Sequence, residues 1–463
     1  MRALHGGTRI DEMTGEREGT QMTGTANRKG MTKELQSTSR NSRQIPWLLL
    51  AVASLAACDT LDELLEAELP GQVTDDALNA PALAETLVAG AQADFECGLQ
   101  GHLLGVEAGF ANAFHYVIFQ IEMIRIANRQ ERTLEHGIGE CASNRDPVWF
   151  IMQRGRAQAA DASRRILEEM PDGSVTDRDF LVGKAFAYEG YATQLLSEAW
   201  CEMVLDGSGQ TVSRQEAMAV AEARFTSALQ FAQDALSGAR AAEAQDIVDL
   251  ALVGRARSRL NQGKLPEALA DAQLVTPGFF YYATYETSPT RRQSMVTRLE
   301  DGFVVHARDR SLTVGGMPDP RIPIENIGLH SSSGVGDWIV QRKYADNGTD
   351  IPFASWREAQ LMIAEIEGGQ TAVGIVNDLR ATVADLPWVD DSHPGLPQFS
   401  STDDAEILAT VLEERRRELY LQGMKMGDDI RTDNVDTWDT GVSLVNAPIG
   451  DLTCLPVPEL EFL

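Results

Sequence analysis

The sequence predicts a mainly α protein: stacked helix–turn–helix units interrupted by an irregular, loop-rich subdomain that contains short β pieces. Two patterns predict it. Apolar residues recur at helical spacing through residues 74–276 and again through 352–425. Between Pro277 and Ile351 that periodicity stops, and turn formers take over: Gly315-Gly316, Pro318, Pro320, Pro323 and the run Ser331-Ser332-Ser333-Gly334. With 43% hydrophobic residues in 463, the chain has enough apolar surface to bury a sizeable core.

Taken in order, Thr74-Asp75-Asp76 is placed to cap a helix through Leu83, Leu87 and Val88. Gly105 to about Asn128 carries Phe110, Phe114, Val117, Ile118, Ile121 and Ile124 at helical spacing, which predicts a second helix. Pro147 is placed as the first-turn proline of a helix holding Trp149, Ile151, Ala159, Ala162, Ile166 and Leu167. A long helix over Asp177–Leu205 is broken by Asp206-Gly207-Ser208-Gly209. Ala221, Phe225, Ala228 and Leu229 then show the spacing of the second helix of a tetratricopeptide repeat, in which small residues admit a neighbouring helix and the large one fills its groove. Ala256–Ala272, with a turn at Gly263-Lys264, repeats this, as do Ala364, Gly368-Gly369, Ala372, Val376 and Leu379. The copies are unevenly spaced, so the expectation is a tetratricopeptide-like scaffold and not a regular array. Short strands are expected at Phe303–Ala307 and Trp338–Arg342, and a second loop covers residues 386–401.

The N-terminus reads as an address. Lys33, Arg40 and Arg43 precede an apolar run from Ile45 to Leu55, too short for a bilayer core of about 30 Å. Leu55-Ala56-Ala57-Cys58 follows and resembles the bacterial lipobox, whose cysteine is diacylated after cleavage. The expected organisation is a disordered extension or mis-assigned start (residues 1–30), a lipoprotein signal peptide (31–57) and a membrane-proximal linker (58–73). One domain then spans 74–463, helical over 74–276, irregular over 277–351, helical over 352–425 and ending in a tail over 426–463. No other segment is apolar enough to span a membrane.

The formal net charge of −29 repels phosphates and excludes nucleic acid as a partner. The four cysteines beyond Cys58 are even in number and lack zinc-ligand spacing, so disulfides are expected in an oxidising compartment. Cys97 and Cys141 flank one helical hairpin and are the preferred pair; Cys201 with Cys454 would then staple the C-terminal tail, and buried free thiols are the alternative.

Four patches, in order, resemble the SusD/RagB family of nutrient-binding outer-membrane lipoproteins. They are the lipobox at Cys58; Asp319-Pro320-Arg321 followed by Lys343-Tyr344; the segment Pro352–Glu365 with Val376-Asn377-Asp378-Leu379-Arg380; and Leu412–Tyr420 (LEERRRELY). Leu455–Pro458 near the C-terminus also fits. The resemblance spans essentially the whole chain after Cys58. It implies a SusD-like helical fold, anchorage at the outward face of the outer membrane, and a non-catalytic role: binding a glycan or oligopeptide and passing it to a TonB-dependent barrel transporter (SusC-like). A surface glycosidase or peptidase, and a structural envelope repeat protein, are the alternatives.

Sugar recognition needs flat aromatic faces with polar groups nearby. The aromatic candidates are Trp149, Tyr281, Tyr282, Tyr285, Trp338, Trp388 and Trp438, of which the loop residues Tyr281, Tyr285, Trp338 and Trp388 are preferred. Asp346-Asn347-Gly348 with Asp350, and Asp206-Gly207-Ser208, lack the twelve-residue calcium-loop pattern and read as solvated turns. No nucleophile elbow, zinc-protease, P-loop or dinucleotide motif is present, so no cofactor, metal or catalytic residue is assigned.

Overall fold

Small residues on successive helices let their backbones approach closely, and this governs the helical half of the computed structural model. The structure describes residues 74–117, 125–130, 148–206, 208–289, 292–298, 302–330 and 336–462. Val73–Leu463 form one compact unit. The lipobox with Cys58, as well as Pro147 and Cys141, lie outside the described residues.

α1 (Ala84–Gly101) continues into a π-helical stretch, His102–Phe110, and is followed by β1 (Phe114–Tyr116). Next come α2 (Val148–Arg164), α3 (Arg178–Ala199), β2 (Glu202–Val204), β3 (Thr211–Ser213), α4 (Arg214–Asp234), α5 (Ala241–Asn261) and α6 (Leu265–Ala272). Each of these helices packs on the next, α1 on α2 through to α5 on α6. A capping box starts α4: Ser213 Oγ accepts from the Glu216 backbone, and the Glu216 carboxylate accepts from the Ser213 backbone. Phe225 is the knob that locks α4 against both neighbours. A Cβ on Gly190 of α3 would lie 2.8 Å from its ring, and one on Gly254 of α5 would lie 2.4 Å away. Only glycine leaves room for the ring there.

The irregular half contains β4 (Phe280–Ala283), the single turn α7 (Met295–Arg298), β5 (Phe303–Val305), β6 (Thr313–Val314), β7 (Met317–Pro318), β8 (Ile324–Leu329), β9 (Asp337–Gln341) and β10 (Ile351–Ser355). These strands form only two-stranded pairs: β1 with β5, β4 with β10, β6 with β7 and β8 with β9, while β2 pairs β3. The helix expected from Gly105 to Asn128 is therefore corrected. Helical structure begins earlier and breaks at Phe110, Asn112 takes a positive φ of 55°, Phe114 pairs with Val305, and residues 125–127 are helical again. Phe114 and Tyr116 alternate along a strand, and a short apolar run reads equally well with either period. Residues 118–124 of that segment are outside the described residues.

α8 (Trp356–Glu367), α9 (Gly369–Ala381), α10 (Asp404–Glu418) and α11 (Lys425–Arg431) complete the chain, with α8 packed on α5, α6, α9 and α10. Gly368, at φ 63°, makes the tight turn between α8 and α9. A disulfide joins Cys201 to Cys454, reinforced by backbone bonds between Cys201 and Leu455 and between Leu455 and Ala199. Cys97 is also disulfide-bonded.

Three charged residues of α10, Glu414, Arg415 and Glu418, are buried and not solvated. Glu414 accepts from Arg321 and from Arg380 of α9, and Glu418 accepts from Arg357 of α8. Arg321 is also held bidentately by Asp319, at 2.9 and 2.7 Å. Arg257 of α5 binds Glu358 of α8 through two 2.7 Å bonds and donates to the Phe353 carbonyl. Burial alone raises the Asp319 carboxyl, but hydrogen bonds and charge from Arg321 outweigh it and pull the pKa down to about 2.

Two predictions follow from this packing. Gly254→Ala should destabilise the chain by roughly 1–3 kcal/mol in urea unfolding, and the loss should shrink in a Phe225→Leu background that relieves the overpacking. Equal losses in both backgrounds would contradict the knob-and-groove account. Asp319, depressed in the folded chain, contributes stability that is complete above its ordinary value of 3.8 and disappears as pH falls towards about 2. Asp319→Asn should therefore melt lower at neutral pH, by roughly 3–5 kcal/mol, and lose stability less steeply between those pH values.

Candidate functional site

The site is built where the irregular half meets the loop after α9. β4 pairs with β10, Tyr282 opposite Pro352, which sets the Tyr282 ring at the surface beside Phe280 (centroids 6.1 Å apart, nearly parallel). Val314, Val383, Leu386, Val389 and Leu396 form a small satellite core, and Phe280 and Trp388 pack against it. Between Tyr282 and Trp388 lies a cleft of about 350 Å³, bordered by Arg342, Lys343, Asp350 and Asp390.

Lys343 fixes the floor of this cleft. Its ammonium lies 3.9 Å from the Trp388 ring centroid and donates to the Tyr420 carbonyl at 2.6 Å. Burial pushes Lys343 down to about 7, against the opposing pull of Glu418 and Glu107. The neighbouring Tyr344 hydroxyl donates to the Leu421 carbonyl at 2.7 Å, so Lys343 and Tyr344 are both tied to the end of α10. The Trp388 indole N–H is buried and has no hydrogen-bond partner among the described residues. Asp350 accepts from the Tyr285 backbone at 2.9 Å. Asp390 accepts from the Ser392 hydroxyl and backbone, which hold its carboxyl below the usual range. It is a hydrogen-bond acceptor, poorly suited to delivering a proton. Two aromatic faces with acceptors and donors on one rim match the needs of a polyhydroxylated ring. A larger cleft of about 510 Å³, lined by Glu198, Arg214, Asn261 and Arg431, has no aromatic wall.

The other candidates lie elsewhere. Trp149 is fully buried, packed on Trp200 at 5.2 Å with its indole N–H given to Glu461. Tyr285 is buried too, its hydroxyl donating to the Glu96 carbonyl at 2.8 Å. Both are corrected from ligand candidates to core residues; each ring lies against the apolar face of the helical half, with its polar atom satisfied internally. Tyr281 alternates to the opposite face of β4 from Tyr282, packs edge-on against Phe353 and meets the Tyr188 hydroxyl at 3.5 Å. Trp438 is buried and donates to Asp429. Trp338 stands half-buried on the β8–β9 hairpin beside His330, outside the cleft. Reading Phe280–Ala283 as a strand is the signal that singles out Tyr282 from Tyr281. The Asp206 and Asp346 segments are turns in which each carboxylate accepts from the backbone two residues on.

Solved structures share this architecture. A SusD homolog from Bacteroides thetaiotaomicron aligns over 83% of this chain and 95% of its own, with a TM-score of 0.56 and 14% identity. The chain has a SusD-like fold. Surface glycan-binding protein A from the same organism, solved in complex with laminarihexaose, aligns over 82% of this chain and 97% of its own (TM-score 0.59, 11% identity). NanU from B. fragilis covers 84% and 96% (TM-score 0.54, 14% identity). No protein-family model and no curated protein matches the chain. At these identities the likeness establishes the SusD-like fold alone. Among the described residues, no helix is long and apolar enough to cross a membrane.

Trp149 and Trp338 should separate cleanly on mutation. Trp149→Ala should cost roughly 3–5 kcal/mol in denaturant unfolding, while Trp338→Ala should cost well under half of that. A severe loss of stability for Trp338→Ala would place that ring in the core.

Proposed function

We propose that this chain is a non-catalytic, glycan-capturing lipoprotein of the SusD/RagB family, held by lipid on Cys58 at the outward face of the outer membrane. In this reading the Tyr282–Trp388 cleft stacks on the apolar face of a sugar ring. Arg342, Asp350 and Asp390 address its hydroxyls, and the bound glycan passes to a TonB-dependent barrel transporter. The observation that carries the proposal is the pairing of two aromatic faces with a polar rim in one cleft of a SusD-like scaffold. The laminarihexaose complex of a protein with the same fold supports a glycan over an oligopeptide. The charge of −29 supports a neutral ligand over an anionic one.

Binding is the better reading than hydrolysis because Asp390, the carboxylate beside Trp388, is held ionised and has no raised pKa to donate a proton. The test is a calorimetric titration of the purified chain with neutral linear glucans, alongside a reducing-sugar assay. The wild type should bind without releasing reducing ends. Trp388→Ala should weaken binding by about tenfold or more, corresponding to an aromatic contact of roughly 1.4 kcal/mol, in a variant that still melts cooperatively. Unchanged affinity in that variant would move the ligand away from the cleft, and released reducing ends would establish a hydrolase.

A further inference from the structure

Outside the cleft, two imidazoles and a carboxylate from three distant stretches of chain converge at one point. His115 lies on β1, His306 directly follows β5, and Asp439 belongs to the C-terminal segment. His115 Nδ1 is 3.1 Å from Asp439 Oδ2, and His306 Nε2 is 3.1 Å from Asp439 Oδ1. The two rings lie 4.3 Å apart, and one donor atom from each of the three residues falls within 4.8 Å of the others. Donor atoms bound to one tetrahedral ion through bonds of about 2.0 Å lie ~3.3 Å from each other, and the two imidazole–carboxylate separations of 3.1 Å are close to that.

We propose that His115, His306 and Asp439 form a binding site for a divalent transition-metal ion of the zinc class. Two imidazole nitrogens and one carboxylate select zinc, nickel or copper over calcium or magnesium, which prefer all-oxygen shells. Arg129 donates to the Asp439 carbonyl and leaves both carboxylate oxygens to the two imidazoles. Trp438 anchors the segment by donating to Asp429 at 2.7 Å, and Asn112 Oδ1 accepts from the Asp439 backbone, so the carboxylate is pre-positioned.

The proton accounting balances. Without an ion, the Arg308 backbone N–H donates to His306 Nδ1 at 3.1 Å, so the ring proton sits on Nε2 and faces Asp439. Binding transfers that proton to Nδ1 and releases the Arg308 contact, which belongs to one 3₁₀ turn, Ala307–Asp309. His115 moves its proton from Nδ1 to the other ring nitrogen in the same way, and neutral imidazoles release no net proton. Three protein ligands leave at least one coordination position open to water. The ion would clamp the C-terminal segment to the β1–β5 pair.

The test is titration of the full-length chain with ZnCl₂ by calorimetry, with CoCl₂ absorption as a spectroscopic readout of nitrogen and oxygen coordination. Wild type should take up one ion per chain, gain roughly 2–5 °C in melting temperature at saturating zinc, and ignore excess calcium. His115→Ala and Asp439→Asn should each weaken zinc binding about 100-fold or more while still melting cooperatively. No saturable uptake by the wild type would overturn the assignment, as would equal uptake by wild type and either cooperatively melting variant.

Discussion

The structure depends on a guanidinium–carboxylate network buried around α10. Glu414 and Glu418 accept from arginines on α8, α9 and the Asp319-Pro320-Arg321 turn, while Arg257 and Glu358 join α5 to α8. Arg321, Arg357, Glu358, Glu414, Arg415 and Glu418 are all buried. Ion pairs at this depth lose about as much hydration as they gain in attraction, so they need not add net stability, yet removing one partner strands a buried charge. Their effect is to specify one arrangement. A helix carrying three successive arginines can dock here only where each finds its own carboxylate, and this holds a loop-rich segment with few ladder hydrogen bonds in a defined place.

The network reaches the candidate site through a short chain of contacts. Glu418 ends α10, the Tyr420 and Leu421 carbonyls just beyond it receive the Lys343 ammonium and the Tyr344 hydroxyl, and Lys343 lies under the Trp388 ring. A cation beneath an indole holds its plane. The rigid element of the cleft is thus supplied by helices, while its recognition groups come from loops and a two-stranded pair. That division suits a binding protein, in which loop residues can vary without disturbing the scaffold.

Much of this was legible in the sequence, and the failures have physical causes. Ala221, Phe225 and Ala228 announced close helix packing because helix contacts follow a local period, and Phe225 does fill a groove between Gly190 and Gly254. The patches at 319–321, 352–365, 376–380 and 412–420 meet in one network because their charges pair with each other, and the patch at 343–344 joins it through the backbone beyond α10. The aromatic site was half legible. Trp388 was placed by its loop, whereas Phe279-Phe280-Tyr281-Tyr282 read as irregular, and only the pairing of β4 with β10 shows that Tyr282 faces out and Tyr281 in. Trp149 and Tyr285 misled because composition does not reveal which face of an element is covered. The cluster of His115, His306 and Asp439 carried no spacing signal at all, since its members meet only through the β1–β5 pair and the returning C-terminal segment.

The central claim is that the Tyr282–Trp388 cleft takes a sugar ring. A crystal structure of the chain grown with a neutral linear hexasaccharide tests it most directly. The account predicts a pyranose ring stacked on the Trp388 indole, with the Asp350–Asp390 rim within hydrogen-bonding distance of its hydroxyls. A sugar bound instead along the β8–β9 hairpin around Trp338, with the cleft holding only solvent, would contradict it.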